Sequence, residues 1–90
     1  FAVINNANME RTNLCYAKMK NIFARSVNLH QADLSHADLE EGVFTGSIMS
    51  HAIVTETNFK KVELETVTMN HANFSQAVNA DIPKNKKNIK

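Results

Sequence analysis

Residues 27–41 read Val27-Asn28-Leu29-His30-Gln31, Ala32-Asp33-Leu34-Ser35-His36, Ala37-Asp38-Leu39-Glu40-Glu41. Broken there, the stretch is one unit written three times: a compact residue, Asn or Asp, Leu, then two polar residues. Neither an amphipathic helix, with its 3.6-residue period, nor a half-buried strand, with strict alternation, produces that spacing. Working outward, the central position continues as Ile4, Met9, Leu14, Met19, Ala24, then Phe44, Met49, Val54, Phe59, Leu64, Met69 and Phe74. Two residues before each centre stand Ala2, Ala7, Thr12, Ala17, Ile22, then Gly42, Ser47, Ala52, Thr57, Val62, Val67 and Ala72. The five-residue frame holds without a slip from residue 2 to 76. Its one undersized centre is Ala24, and its one oversized small position is Ile22.

The chain is 90 residues and 10.1 kDa, enough for one small domain. A 43% hydrophobic content supports a core. Two Gly and one Pro argue against a loop-rich fold or a set of tight hairpins. A single Cys excludes an internal disulfide, and the four His show no zinc-ligand spacing. No apolar run approaches the ~18 residues of a membrane span, and no signal peptide is visible. The absence of disulfides fits a cytoplasmic protein. The first residue is Phe rather than Met, so the expectation is a chain processed or cut from something longer, with further coils or a capping element ahead of it.

Ala7-Asn8-Met9, Ala32-Asp33-Leu34, Ala37-Asp38-Leu39 and Ala72-Asn73-Phe74 resemble the Ala-Asp/Asn-Leu-x-x unit of the pentapeptide-repeat family. The resemblance implies an all-β fold, a right-handed quadrilateral β-helix in which four units make one coil, with about four coils here. Stacking suits such units, because none can bury its apolar face alone. The solenoid is expected over residues 1–82. Pro83 stops the last strand, and 83–90 is expected to be a basic disordered tail or linker. Residues 1–83 hold six basic and nine acidic side chains, a net −3, against +4 in the tail.

Four units per coil place residues twenty apart above one another. Ile22 then lies below Gly42 and Ala24 below Phe44, a volume compensation that a three- or five-unit coil would not give. Lys18 and Lys20, then Asp38, Glu40 and Glu41, then Lys60 and Lys61 alternate in sign on successive coils, predicting a cross-coil charge ladder.

A solenoid filled by its own side chains leaves no concavity for catalysis, so no enzyme, cofactor or metal is expected. Cys15 should point outward as a bystander thiol without a basic neighbour. His51 and His71 should sit about 5 Å apart on successive coils, with His30 near the same corner. They are too few for a zinc site, and no carboxylate joins them. The suggestive feature is apolar. The residue before each centre should face solvent, yet on one side Val3, Phe23 and Val43 stack in that outward column, and on the third coil the departure continues around two further sides with Ile48 and Ile53. These five are the candidate partner-binding residues.

The function expected is a non-catalytic protein-binding or scaffold module within a larger protein. Its partner would be another protein, or another domain of the same one. Neither a membrane nor a small-molecule substrate is expected, and the Lys tail offers nucleic acid only generic, salt-sensitive attraction. The alternative, which the family resemblance alone implies, is a DNA-mimicking binder of type II topoisomerase (gyrase) of the quinolone-resistance type. That role needs a longer and more acidic rod than a body of net −3.

Overall fold

The computed structural model describes residues 2–86, 88 and 89. They form a repeat solenoid. Isolated parallel bridges join Val3 to Phe23 and Phe23 to Val43, Asn8 to Asn28 and Asn28 to Ile48, Asn13 to Asp33 and Asp33 to Ile53, and Lys18 to Asp38 and Asp38 to Asn58. Every one spans twenty residues, so four five-residue units make one layer. Each side of a layer contributes a single bridging residue before the chain turns, which is why no long strand develops.

The five backbone N–H groups of a unit have five separate destinations, a full accounting of the kind a folded chain requires. In the unit centred on Met9, the Met9 N–H donates up to Asn28 O at 2.8 Å and the Arg11 N–H to His30 O at 2.8 Å. Asn28, at the equivalent of Asn8, donates down to Ala7 O at 3.0 Å. The Ala7 N–H closes the preceding turn by donating to Ile4 O at 3.1 Å, as Thr12 does in turn to Met9 O at 3.2 Å. The fifth donor, Glu10 N–H, goes to the Asn8 side chain, Oδ1, at 3.1 Å. The same bond recurs from Cys15 to Asn13, His30 to Asn28, Ser35 to Asp33, Glu40 to Asp38, Lys60 to Asn58 and Ser75 to Asn73. The Asn or Asp of the repeat therefore supplies the one acceptor that the backbone lacks.

Most turns end on a left-handed residue: Asn6, Arg11, Tyr16, Asn21, Ser26, Gln31, His36, Glu41, His51, Glu56, Lys61 and His71 have φ between 53° and 64°, and Gly46 has 72°, whereas Thr66 and Gln76 are not left-handed. A positive φ at the third turn residue is the type II pattern, which usually takes Gly or Asn. The scarcity of glycine therefore does not exclude tight turns here. Flanking inter-layer hydrogen bonds hold other residues in that conformation.

Centres and small positions form the core. Ala24, Val27, Leu29, Ala32, Leu34, Leu39, Met49, Val54, Phe59, Val67 and Ala72 are fully buried. Ile4, Met9 and Leu14 of the first layer are only half-buried, since full burial needs a layer on both sides. The volume compensation is borne out. A Cβ added to Gly42 would stand 2.6 Å from Phe44 Cε2 and 3.3 Å from Ile22 Cγ2. Beneath the next corner the Ser47 hydroxyl enters the turn itself, accepting from Val27 N–H at 2.9 Å and donating to Ala24 O at 2.6 Å. Thr57 Oγ1 likewise donates to Leu34 O at 2.6 Å.

The C-terminal segment, expected to be a disordered tail, is held against the last layer. Lys86 Nζ donates to Glu65 O at 2.7 Å and Val67 O at 2.8 Å, and Asn88 O accepts from His71 N–H at 2.6 Å. Ile82 and Ile89 pack on the core. The physical reason is that the last layer presents carbonyls and apolar side chains that no further layer covers, and an ammonium and two Ile serve them. Of the tail lysines, Lys87 and Lys90 lie outside the described residues.

Candidate interaction face

The outward column of the first side is apolar: Val3, Phe23 and Val43 are stacked by successive bridges. Val3 is 64% exposed, while Phe23 and Val43 are half-buried. The Arg25 guanidinium lies over the Phe23 ring, 5.6 Å from its centroid. None of the three can cap the N–H two residues on. For Arg25 the deficit is met from below, where Asn5 Oδ1 accepts its N–H at 2.9 Å. Above Val43 the local pattern changes: the Gly46 N–H donates to Thr66 Oγ1 at 3.0 Å.

Ile48 and Ile53, 40% and 49% exposed, stand on the next two sides, each beyond a turn. The five candidate residues thus stand on three sides, in the positions that the register gives them. Val3, Phe23 and Val43 share one face, and Ile48 and Ile53 belong to the third layer's following sides. Five-residue spacing separates successive sides, whereas only twenty-residue spacing keeps a shared face. Sequence reasoning passed over two further exposed apolar groups. Tyr16, 71% exposed, stacks on His36 with centroids 4.7 Å apart and planes at 4°, and Val78 is 40% exposed. The twenty-residue spacing of Tyr16 and His36 was the available signal.

The charge ladder is not formed as ion pairs. Among the described residues the one pair within 4.0 Å is Arg11 with Glu10, at 3.8 Å on an exposed corner. Lys18 does bridge Asp38 through the backbone, but Asp38 Oδ1 is occupied as a turn cap for Glu40 N–H and accepts from Asn58 Nδ2 at 3.2 Å. Lys20, Glu40, Glu41, Lys60 and Lys61 are left as a stripe of alternating sign along the edge of the apolar face.

The histidine corner is as the spacing predicts. The His51 and His71 rings stack at 4.8 Å, and His30 meets His51 edge-on at 5.4 Å. A 530 Å³ cleft beside them is lined by His51, His71, Asn73, Asn88 and Ile89. Among the described residues no cluster of three or more His, Cys, Asp or Glu is placed to hold a metal ion. The half-buried Cys15 thiol donates to Asp33, which pushes its pKa up and keeps it a thiol rather than a nucleophilic thiolate. Asp33 itself is held below the usual carboxylate range, chiefly by hydrogen bonds from the Ser35 hydroxyl and amide.

The Pentapeptide repeats family model matches residues 1–31 and 28–65 in 8 copies. The chain belongs to the pentapeptide-repeat family. Among solved structures of pentapeptide-repeat proteins, one from the thylakoid lumen of Arabidopsis thaliana is similar at 20% identity and TM-score 0.81, over 96% of this chain and 59% of its own. Rfr23 from the cyanobacterium Cyanothece is similar at 17% identity and TM-score 0.58, over 98% of this chain and 86% of its own. HetL, which is involved in heterocyst differentiation regulation in a Nostoc cyanobacterium, is similar at 18% identity and TM-score 0.53, over 84% of this chain and 38% of its own. At these identities the likeness concerns the fold, and the chain spans little more than half the length of the first of these pentapeptide-repeat proteins. A comparison with curated proteins finds no significant match. No helix among the described residues is long and apolar enough to cross a membrane.

Proposed function

We propose that this chain is a non-catalytic protein-binding or scaffold module, built as a right-handed quadrilateral β-helix of about four coils within a larger, cytoplasmic protein. It would present the Val3–Phe23–Val43 face to a protein partner, or to another domain of the same chain. One observation carries the proposal. At the outward position Asn and Asp cap the N–H two residues on. Val3 and Val43 leave those of Asn5 and Thr45 without such a cap, forgoing about 0.5–1.5 kcal/mol each. Beside Phe23 the Arg25 N–H is bonded only because Asn5 Oδ1 reaches it from the layer below. Strand propensity alone would not favour that exchange, whereas a contact surface does.

The test is affinity capture with the wild-type chain against Phe23→Glu and Phe23→Asn. The Asn variant restores the family residue. Because the Arg25 N–H already has Asn5 Oδ1 as its acceptor, no stabilisation is expected from a second cap, and circular dichroism verifies the fold of both variants before capture. Loss of the same bound protein with both variants supports the proposal. Capture that both variants leave unchanged overturns it.

A further inference from the structure

We propose that the Val3–Phe23–Val43 face pairs with the same face of a second copy, the two solenoids lying antiparallel side by side. This rests on reading that face as an interface, and the flanking charges choose the occupant. The column is stepped at the inter-strand distance of about 4.8 Å per layer. Along its edge run Lys20, then Glu40 and Glu41, then Lys60 and Lys61, all but Glu40 exposed, and none within ion-pair distance of a partner among the described residues. A two-fold axis along the strand direction reverses the order of layers but keeps edge against edge, so the height of that axis decides which charges meet.

With the axis at the Phe23 level, Lys20 would face Lys20 and Arg25 would face Arg25. At the Val43 level, Glu40 and Glu41 would face themselves. Midway between the two, Phe23 packs on the second copy's Val43, and Lys20 meets the second copy's Glu40 and Glu41, each contact made twice. Arg25 then lies opposite Thr45, and Asn5 opposite Glu65. Exposed Glu63, opposite Val3, stays in water at the rim. An isologous contact must be self-complementary, and this register alone both sets Phe23 on Val43 and brings Lys20 to opposite charge, with Val3 outside the apolar contact. The whole molecule measures 30 × 23 × 21 Å, so one side buries less than a standard interface of ~800 Å² per partner. The dimer is therefore weak, reversible and sensitive to salt.

The experiment uses sedimentation equilibrium on three forms of the 90-residue chain: wild type, Lys20→Glu, and the pair Glu40→Lys with Glu41→Lys. Circular dichroism first verifies that all three fold alike. Wild type should self-associate with rising concentration, and less so in high salt. Each variant alone places like charges in contact twice and should associate at least about tenfold more weakly. An equimolar mixture of the two should recover association, since both contacts are then between opposite charges. No effect confined within one chain reproduces that recovery. Should the reversed charges disturb folding, the neutral forms Lys20→Gln and Glu41→Gln should weaken association with the fold intact. A wild type that stays monomeric at every concentration overturns the proposal, as does a mixture no better associated than its components. Either result leaves Phe23-dependent capture of a different protein intact, so failure of the dimer and failure of the interface are told apart.

Discussion

Gly42→Ala isolates the packing logic of the fold. Gly42 does not occupy the left-handed region, so Ala is compatible with its backbone. On conformational grounds alone the substitution should stabilise by about 0.4–1 kcal/mol, because it restricts the unfolded chain. Against that, the new methyl would lie 2.6 Å from Phe44 Cε2 and 3.0 Å from Leu39 O, with Ile22 Cγ2 at 3.3 Å. The Leu39 carbonyl cannot retreat freely, since it accepts the turn bond from Gly42 N–H at 2.8 Å. The Phe44 ring is 1% exposed within the core. Overpacking of this kind costs about 1–3 kcal/mol, so the steric term exceeds the entropic one and the net loss should be about 1–2 kcal/mol. For a chain of this size each kcal/mol moves Tm by about 4–8 °C. The assay is urea unfolding and thermal melting of wild type, Gly42→Ala, Phe44→Leu and the double variant. The double variant should be more stable than the summed single effects allow, with a coupling of at least about 0.5 kcal/mol. A Gly42→Ala protein as stable as wild type, or additive effects in the double variant, would refute the compensation between Ile22, Gly42 and Phe44.

Ser47→Ala should cost about 1–3 kcal/mol in urea unfolding, since it strips a buried bridge from Val27 N–H and Ala24 O. Lys86→Met should release the C-terminal segment, seen as faster amide exchange at His71, with the lower layers' protection unchanged. Asp33 is held below its ordinary carboxylate range in the folded state, so its stabilisation is complete above the unfolded value near ~3.9 and is lost as pH falls through the folded one. Stability measured from pH 5 downward should therefore decline less steeply in Asp33→Asn. Because Asp33 also holds the Cys15 proton, alkylation of Cys15 near neutral pH should be faster in Asp33→Asn than in wild type.

The five-residue period alone determined the solenoid, its register and its core. Every unit meets the same surroundings, so the same size and polarity recur at the same position, and Ile22 with Ala24 betrays even the number of units per layer. What only the tertiary structure decided concerns contacts across layers and around corners. The role of Asn8 or Asp38 as acceptor for the fifth N–H could not be read from composition, because it depends on where the other four donors go. Lys18 and Asp38 align as the spacing predicts, yet no ion pair forms between them; Asp38 Oδ1 instead accepts from Glu40 N–H and Asn58 Nδ2. The docking of Lys86 and Ile89 is least legible of all. A short basic segment has no period, and its order comes from the uncovered carbonyls and side chains of a layer that lies some twenty residues earlier in the chain.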